Sequence, residues 1–444
     1  MARSQTSPLP KVMNIGTTEI APKFGSQSEL RPVSIWYMAS IVAFSLGAQS
    51  VVFCSNQVLQ NTLRDHFTKN EALIGFVMAF NALNMLWVTP FVAWKSDRIW
   101  TRFGRRRPIV MIAAPILALA VILTPHAPSL WIVILLVFTF QVAEDAEIAV
   151  VAPSVSDTVP DQQRQIAGAM MQFIPAIAIF VMGRYVMKLT DRAEHWPYTI
   201  AGLLVITTAI IYLAAMREHY VPPRANERFK LFNYGKEIFR LREYRLIYIV
   251  FLCQPLWVIV ATQWFASLAT QELHMTQSEY GSAWAYSGLV TLLVAIPLGY
   301  LCNMLGRRRM FALMGSMLVV VPLTYGIFWM KTATGIAVFA GMQSFCFNLF
   351  RMNFIPYVMR YTTPRNVATI FGFTSVMNGL VRFTMIPLAG FLIGLTGNYR
   401  IPLWGGYIGV IACVAAILAM RPPEKVRDEI ARIDAEVASA SQHD

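Results

Sequence analysis

Twelve runs of mostly apolar residues divide this chain, and each is long enough to cross a lipid bilayer, which takes about 20 such residues in helical form. In the first half they cover roughly 34–61, 72–94, 108–125, 129–155, 166–188 and 197–216. In the second half they cover 246–271, 279–303, 310–330, 335–359, 367–394 and 401–420. Bilayer helices satisfy their own backbone hydrogen bonds, so the pattern predicts an all-α membrane protein of twelve transmembrane helices. Composition agrees: 56% of residues are hydrophobic and 14% charged, against about 25% charged in ordinary soluble domains.

The net charge of +13 does not indicate nucleic acid, because the Lys and Arg residues sit at the ends of apolar runs. Of the 37, 28 fall in the segments that share a side with both termini and 6 in the opposite loops. This bias predicts that both termini are cytoplasmic. The expected organisation is a cytoplasmic tail at 1–33, a six-helix bundle at 34–216, a cytoplasmic central loop at 217–245, a second bundle at 246–420 and a cytoplasmic tail at 421–444. The first 33 residues are polar and lack the apolar core of a cleavable signal, so the first span is expected to direct insertion. The five cysteines lie in apolar segments without a CxxC pair, which argues against a disulfide or metal framework. No metal cluster, nucleophile triad or phosphate loop is present, so neither a cofactor nor an enzyme is expected.

A basic turn recurs. GRRR stands at 104–107 and again at 306–309, each between the second and third helices of its half. A shared turn at equivalent places marks two sequence repeats and two pseudo-symmetric six-helix bundles. The turn at 303–309 resembles the signature loop of the major facilitator superfamily. The first copy is longer, running from Ser96 and Asp97 through Arg98, Arg102 and Phe103 to Gly104, Arg105, Arg106, Arg107 and Pro108. This SDRxxxRFGRRRP form is similar to the sucrose/proton symporter branch of the glycoside–pentoside–hexuronide transporters. Independently of the resemblance, Gly104 suits a tight turn, and the arginines can pair with Asp97 and with helix carbonyls. Asp97, Arg98, Gly104, Arg105, Arg106 and Arg107 are thus expected to form a cytoplasmic gate, a latch whose ion pairs break as the bundles rock; the plainer alternative is a topology anchor.

Away from their ends the spans hold three acids and three bases: Glu144, Asp145 and Glu147 in span four, and Arg184, Arg351 and Arg382 in spans five, ten and eleven. Intramembrane charges are costly and usually face a partner or a cavity. Glu144 lies about 15 residues into its span, roughly 22 Å deep. Glu144 and Glu147 share a helix face, whereas Asp145 points elsewhere, with Arg184 as one expected partner. Two close carboxylates in a low dielectric do not both ionise easily, which suits proton coupling; a structural ion-pair network is the alternative. The resemblance implies an acid in mid span four for coupling and an Arg in span five near the sugar. This chain departs from it, with three acids there and without the polar, Arg-bearing stretch usual in span four. Resemblance to the superfamily also places spans one, four, seven and ten around the central cavity. All six histidines lie outside the spans, and span two has Asn81 and Asn84 but no carboxylate, so protons are favoured over sodium.

Amides and aromatic rings on these helices suit a neutral polyol, with interhelical hydrogen bonding as the alternative. The expected substrate-binding set is Arg351, Asn348, Gln49, Gln254, Trp257, Arg184, Arg382 and Asn378. Span five lacks the Gly-x-x-x-Gly-Pro turn typical of drug antiporters. The predicted function is proton-coupled symport of a sugar or glycoside by alternating access, in a monomer of the plasma (inner) membrane. Its partners are a small-molecule substrate, protons and the lipid bilayer. An organic anion or drug carrier of the same fold, or a non-transporting membrane protein on it, are the alternatives.

Overall fold

A computed structural model describes residues 32–160, 163–218, 241–304, 309–361, 367–423, 425–426 and 429. The regular elements among them are helices, and an isolated bridge between Thr101 and Gly104 closes a turn. Six helical stretches make the first half: Ile35–His66, Glu71–Ser96, Arg107–His126, Leu130–Thr158, Ile166–Asp191 and Trp196–Ala215. Six make the second: Arg242–Glu272, Gln277–Met304, 309–328, Ala333–Tyr361, Val367–Thr396 and Ile401–Ala419. Among the described residues nine helices are long and apolar enough to span a membrane unaided; spans four, eight and nine are the others. The repeated turn at 306–309 lies largely outside the described residues, as do most of the two tails and the central loop.

Local sequence sets the helix ends. The Asn70 side chain accepts from the Ala72 and Leu73 amides at 3.0 and 3.2 Å, capping span two. Thr332 caps span ten by accepting from the Gly335 amide at 3.1 Å, and Pro402 occupies the first turn of span twelve. Several helices contain π turns: Cys54–Val58 in span one, Met182–Val186 in span five, and Leu256–Val260 and Leu268–Glu272 in span seven. Span one reaches His66, past its expected end near 61. Its last turns are polar but buried against span seven, so they remain helical.

Each half has its own apolar core, and the first-half core also takes in Val260, Trp264, Ile386, Ala389 and Ile393 from the second half. Span two packs on span eleven and span five on span eight. Glycine permits both approaches. A Cβ on Gly379 would stand 2.8 Å from the Ala82 carbonyl, and one on Gly288 would stand 2.7 Å from the Ala176 carbonyl. Under the repeat, span two corresponds to span eight and span five to span eleven, so the two contacts are the same contact related by pseudo-symmetry.

Candidate functional site

Span four brings its three acids into the protein interior. Glu144, Asp145 and Glu147 expose 2%, 2% and 0% of their surface. Among the described residues, Asp145 Oδ2 and both Glu147 oxygens have no hydrogen-bond partner. The cation whose field reaches Glu144 and Asp145 is Arg382 on span eleven. Arg382 donates to Asn81 Oδ1 at 2.9 Å and lies 3.2 Å from Met85 Sδ, both on span two. Glu147 interacts chiefly with Glu144. One turn back on the same helix, Gln141 donates to Ser55 of span one at 3.3 Å. The structure therefore groups span four with spans one, two and eleven around one cation and three carboxyl groups.

Arg184, expected opposite Asp145, is elsewhere. It stands exposed on the π turn of span five, where it lines a cleft that the three acids do not reach. Arg351 keeps an open surface although protein surrounds it, and it donates to Gln172 of span five at 2.9 Å. Gln49 is half-buried on span one. Asn378 donates to Gln254 at 3.2 Å, joining spans eleven and seven. Two expected substrate contacts are internal instead. Trp257 is 0% exposed, packed edge-on against Phe350 with its carbonyl accepting from Gln343 at 2.6 Å. The Asn348 amide donates to Thr291 of span eight at 3.1 Å and to the Ser344 carbonyl at 2.8 Å. Both sit where helices of one bundle pack together, and there the Asn348 amide is already bonded.

A second cluster was not anticipated from the sequence. It closes the end of the molecule that carries residues 66–71, opposite the end with the basic turn. Arg64 donates to Glu71 at 2.8 and 2.6 Å, to Asn61 at 3.1 Å and, across the halves, to Ser267 at 2.8 Å. Ser267 in turn donates to Gln60 at 2.5 Å. Gln263 donates to Asn56 at 3.1 Å, Thr270 to Asn61 at 3.2 Å, and Tyr280 to Gln57. Tyr399 donates to Glu71 at 2.8 Å, and burial pushes its phenol up to about 12, so it is a neutral donor at physiological pH. The signal was present as stripes at helical spacing: Asn56, Gln57, Gln60, Asn61 and Arg64 on span one, and Gln263, Ser267 and Thr270 on span seven.

The basic turn is bound within its own bundle. Arg105 and Arg106 each reach Asp157 Oδ2 at 2.6 Å and Asp97 at 3.4 and 3.6 Å. The amides of Arg105, Arg106 and Arg107 converge on the Glu218 carboxylate at 2.6 to 3.2 Å, at the positive end of span three. Gly104 has φ +102°, and a Cβ there would lie 2.6 Å from that carboxylate. Arg98 lies over the Trp94 ring, 4.6 Å from its centroid. Asp157 ends span four and Glu218 follows span six, so these described partners all belong to the first half. In these contacts the turn braces the inside of one bundle.

Known proteins place this architecture. No curated protein matches the chain significantly. Among solved structures, it is similar to a POT family transporter in complex with a thioalcohol-conjugated peptide, with TM-score 0.70 and 10% identity over 88% of this chain and 96% of that one. It is also similar to the nucleoside transporter NupG, with TM-score 0.65 and 13% identity over 86% of this chain and 98% of that one. At such identities the likeness is one of fold. The sequence profile of the Major Facilitator Superfamily matches residues 35–270 and again 258–441, covering both repeats. The chain therefore belongs to the Major Facilitator Superfamily.

Proposed function

We propose that this secondary transporter is a proton-coupled symporter that works by alternating access, with a sugar or glycoside as its cargo. The observation that carries the coupling is the charge count on span four. Three buried carboxyl groups share this helix, and the one guanidinium whose field reaches them, Arg382, acts on two, Glu144 and Asp145. A buried carboxylate without a partner costs several kcal/mol, so Arg382 can balance one negative charge and bound protons can balance the rest. Opening the site to water on one side removes that cost and lets a proton leave there. Glu144 and Glu147 are the coupling pair in this scheme, and Asp145 is the acid whose charge Arg382 balances.

With the termini cytoplasmic, as the basic bias supports, the Arg64–Glu71–Ser267–Tyr399 cluster closes the external side. The brace at Asp97–Arg107 moves with the first bundle as a unit, tying the inner end of span four to spans two, three and six. The extended turn and the amides of Gln49, Gln254 and Asn378 support a polyol cargo. Arg351 favours a second reading, an organic anion carrier, because its described hydrogen-bond partner is the neutral Gln172.

The test is uptake into proteoliposomes under an inward proton gradient, using a panel of neutral saccharides and monocarboxylates. Saccharide-dependent alkalinisation of the medium supports the first reading. Accumulation of carboxylates alone supports the second. Saccharide uptake that ignores both the gradient and an uncoupler would remove proton coupling altogether.

A further inference from the structure

A cleft of about 1070 Å³ opens between spans five, eight, nine and ten, away from the span-four acids. We infer that it is a binding site for an anionic phospholipid, with the headgroup at Arg184 and Lys188 and an acyl chain along the groove. The first argument is the wall. Leu318, Val338 and Phe345 expose 63%, 47% and 40% of their surface into or beside it, so the cleft opens sideways and is apolar. The second is length. Its lining follows span ten from Thr334 to Cys346, twelve residues or about 18 Å of helix, close to one leaflet of a hydrocarbon core about 30 Å thick.

The third argument is charge. Arg184 and Lys188 are one helical turn apart, both exposed, and neither forms an ion pair among the described residues. They are two of the few cations on a side of the molecule that otherwise avoids them. The one acid lining the cleft, Glu279, is turned towards the start of span eight, where its carboxylate accepts from the Thr276 amide at 3.0 Å. A soluble ligand would not need charge at one end and a leaflet's depth of open apolar wall; a phospholipid has both. The cleft also joins span five of one half to three spans of the other, so its occupant touches both moving bodies.

Native mass spectrometry of the detergent-solubilised full chain tests this, with phosphatidylglycerol and phosphatidylcholine of identical acyl chains. The wild type is expected to retain phosphatidylglycerol in preference, and the Arg184→Gln/Lys188→Gln double variant to lose roughly five- to thirtyfold of that preference, the scale set by one or two interfacial charges. Val338→Trp, which fills the groove from an exposed position, should lower retention of both lipids. Equal retention of the two lipids by the wild type, or a preference that survives the double variant, would overturn the headgroup assignment. Unchanged retention in Val338→Trp would overturn the cleft as the seat, and so would a protein dimer covering this face in place of lipid adducts.

Discussion

Removing a single hydroxyl should reopen the closed end of the molecule. Ser267 is fully buried and accepts from Arg64 at 2.8 Å while donating to Gln60 at 2.5 Å. Both bonds cross between halves. A hydrogen bond to a charged group contributes about 1.5–3 kcal/mol and a neutral one about 0.5–1.5 kcal/mol. Ser267→Ala leaves Arg64 still held by Glu71 and Asn61, so no charge is orphaned. The loss therefore falls on closure rather than folding, at about 2–4 kcal/mol, or about 30- to 1000-fold in the closed-to-open ratio. Spin labels at Lys69→Cys and Thr396→Cys, in a background with the native cysteines replaced, report the separation by double electron–electron resonance. Both sites are exposed and flank the cluster from opposite halves. A longer-distance population should grow in Ser267→Ala, and Tyr399→Phe should act in the same direction. Superimposable distance distributions in the parent and both variants would refute the gate.

Three further outcomes are expected. Glu144→Gln and Glu147→Gln, singly or combined, should abolish gradient-driven accumulation while substrate counterflow persists; accumulation that survives in the combined variant would rule these acids out as the coupling groups. Gly104→Ala should lower the detergent melting temperature, because it sets an L residue at positive φ, a cost of about 1–2 kcal/mol, and drives a methyl group into Glu218; wild-type melting would show that the turn is not a brace. Asn348→Leu should cost about 1–3 kcal/mol of stability with KM for substrate within twofold, since its amide is used between spans eight and ten; a large rise in KM would return it to the substrate site.

Architecture was legible because a span must be mostly apolar along its length whatever it packs against. The repeated GRRR turn added the symmetry. Local signals could not say which polar face meets which. Trp257 and Asn348 have the right helix and depth for substrate but point into their own bundle, and a one-residue change of register separates those outcomes. Opposite charge inside the membrane makes Arg184 one possible partner for Asp145 in the sequence; span five carries it instead to a cleft shared with spans eight, nine and ten. Arg382 is the cation that reaches the acids, through the contact of span eleven with span two, a long-range pairing that no local pattern encodes. The closed-end cluster was visible only as polar stripes on two helices 200 residues apart in sequence.

The π turns of spans one and seven give this closure an unusual mechanical character. Each holds one residue more than an α turn, and two of them, Cys54–Val58 and Leu256–Val260, lead directly into the paired stripes. Passing that extra residue along the helix rotates everything beyond it by about 100°. Such a step would carry Gln60 and Arg64 off the Ser267 side in one move, whereas elastic bending would loosen each bond by a fraction. A closure that used this step would make or lose its bonds as a set.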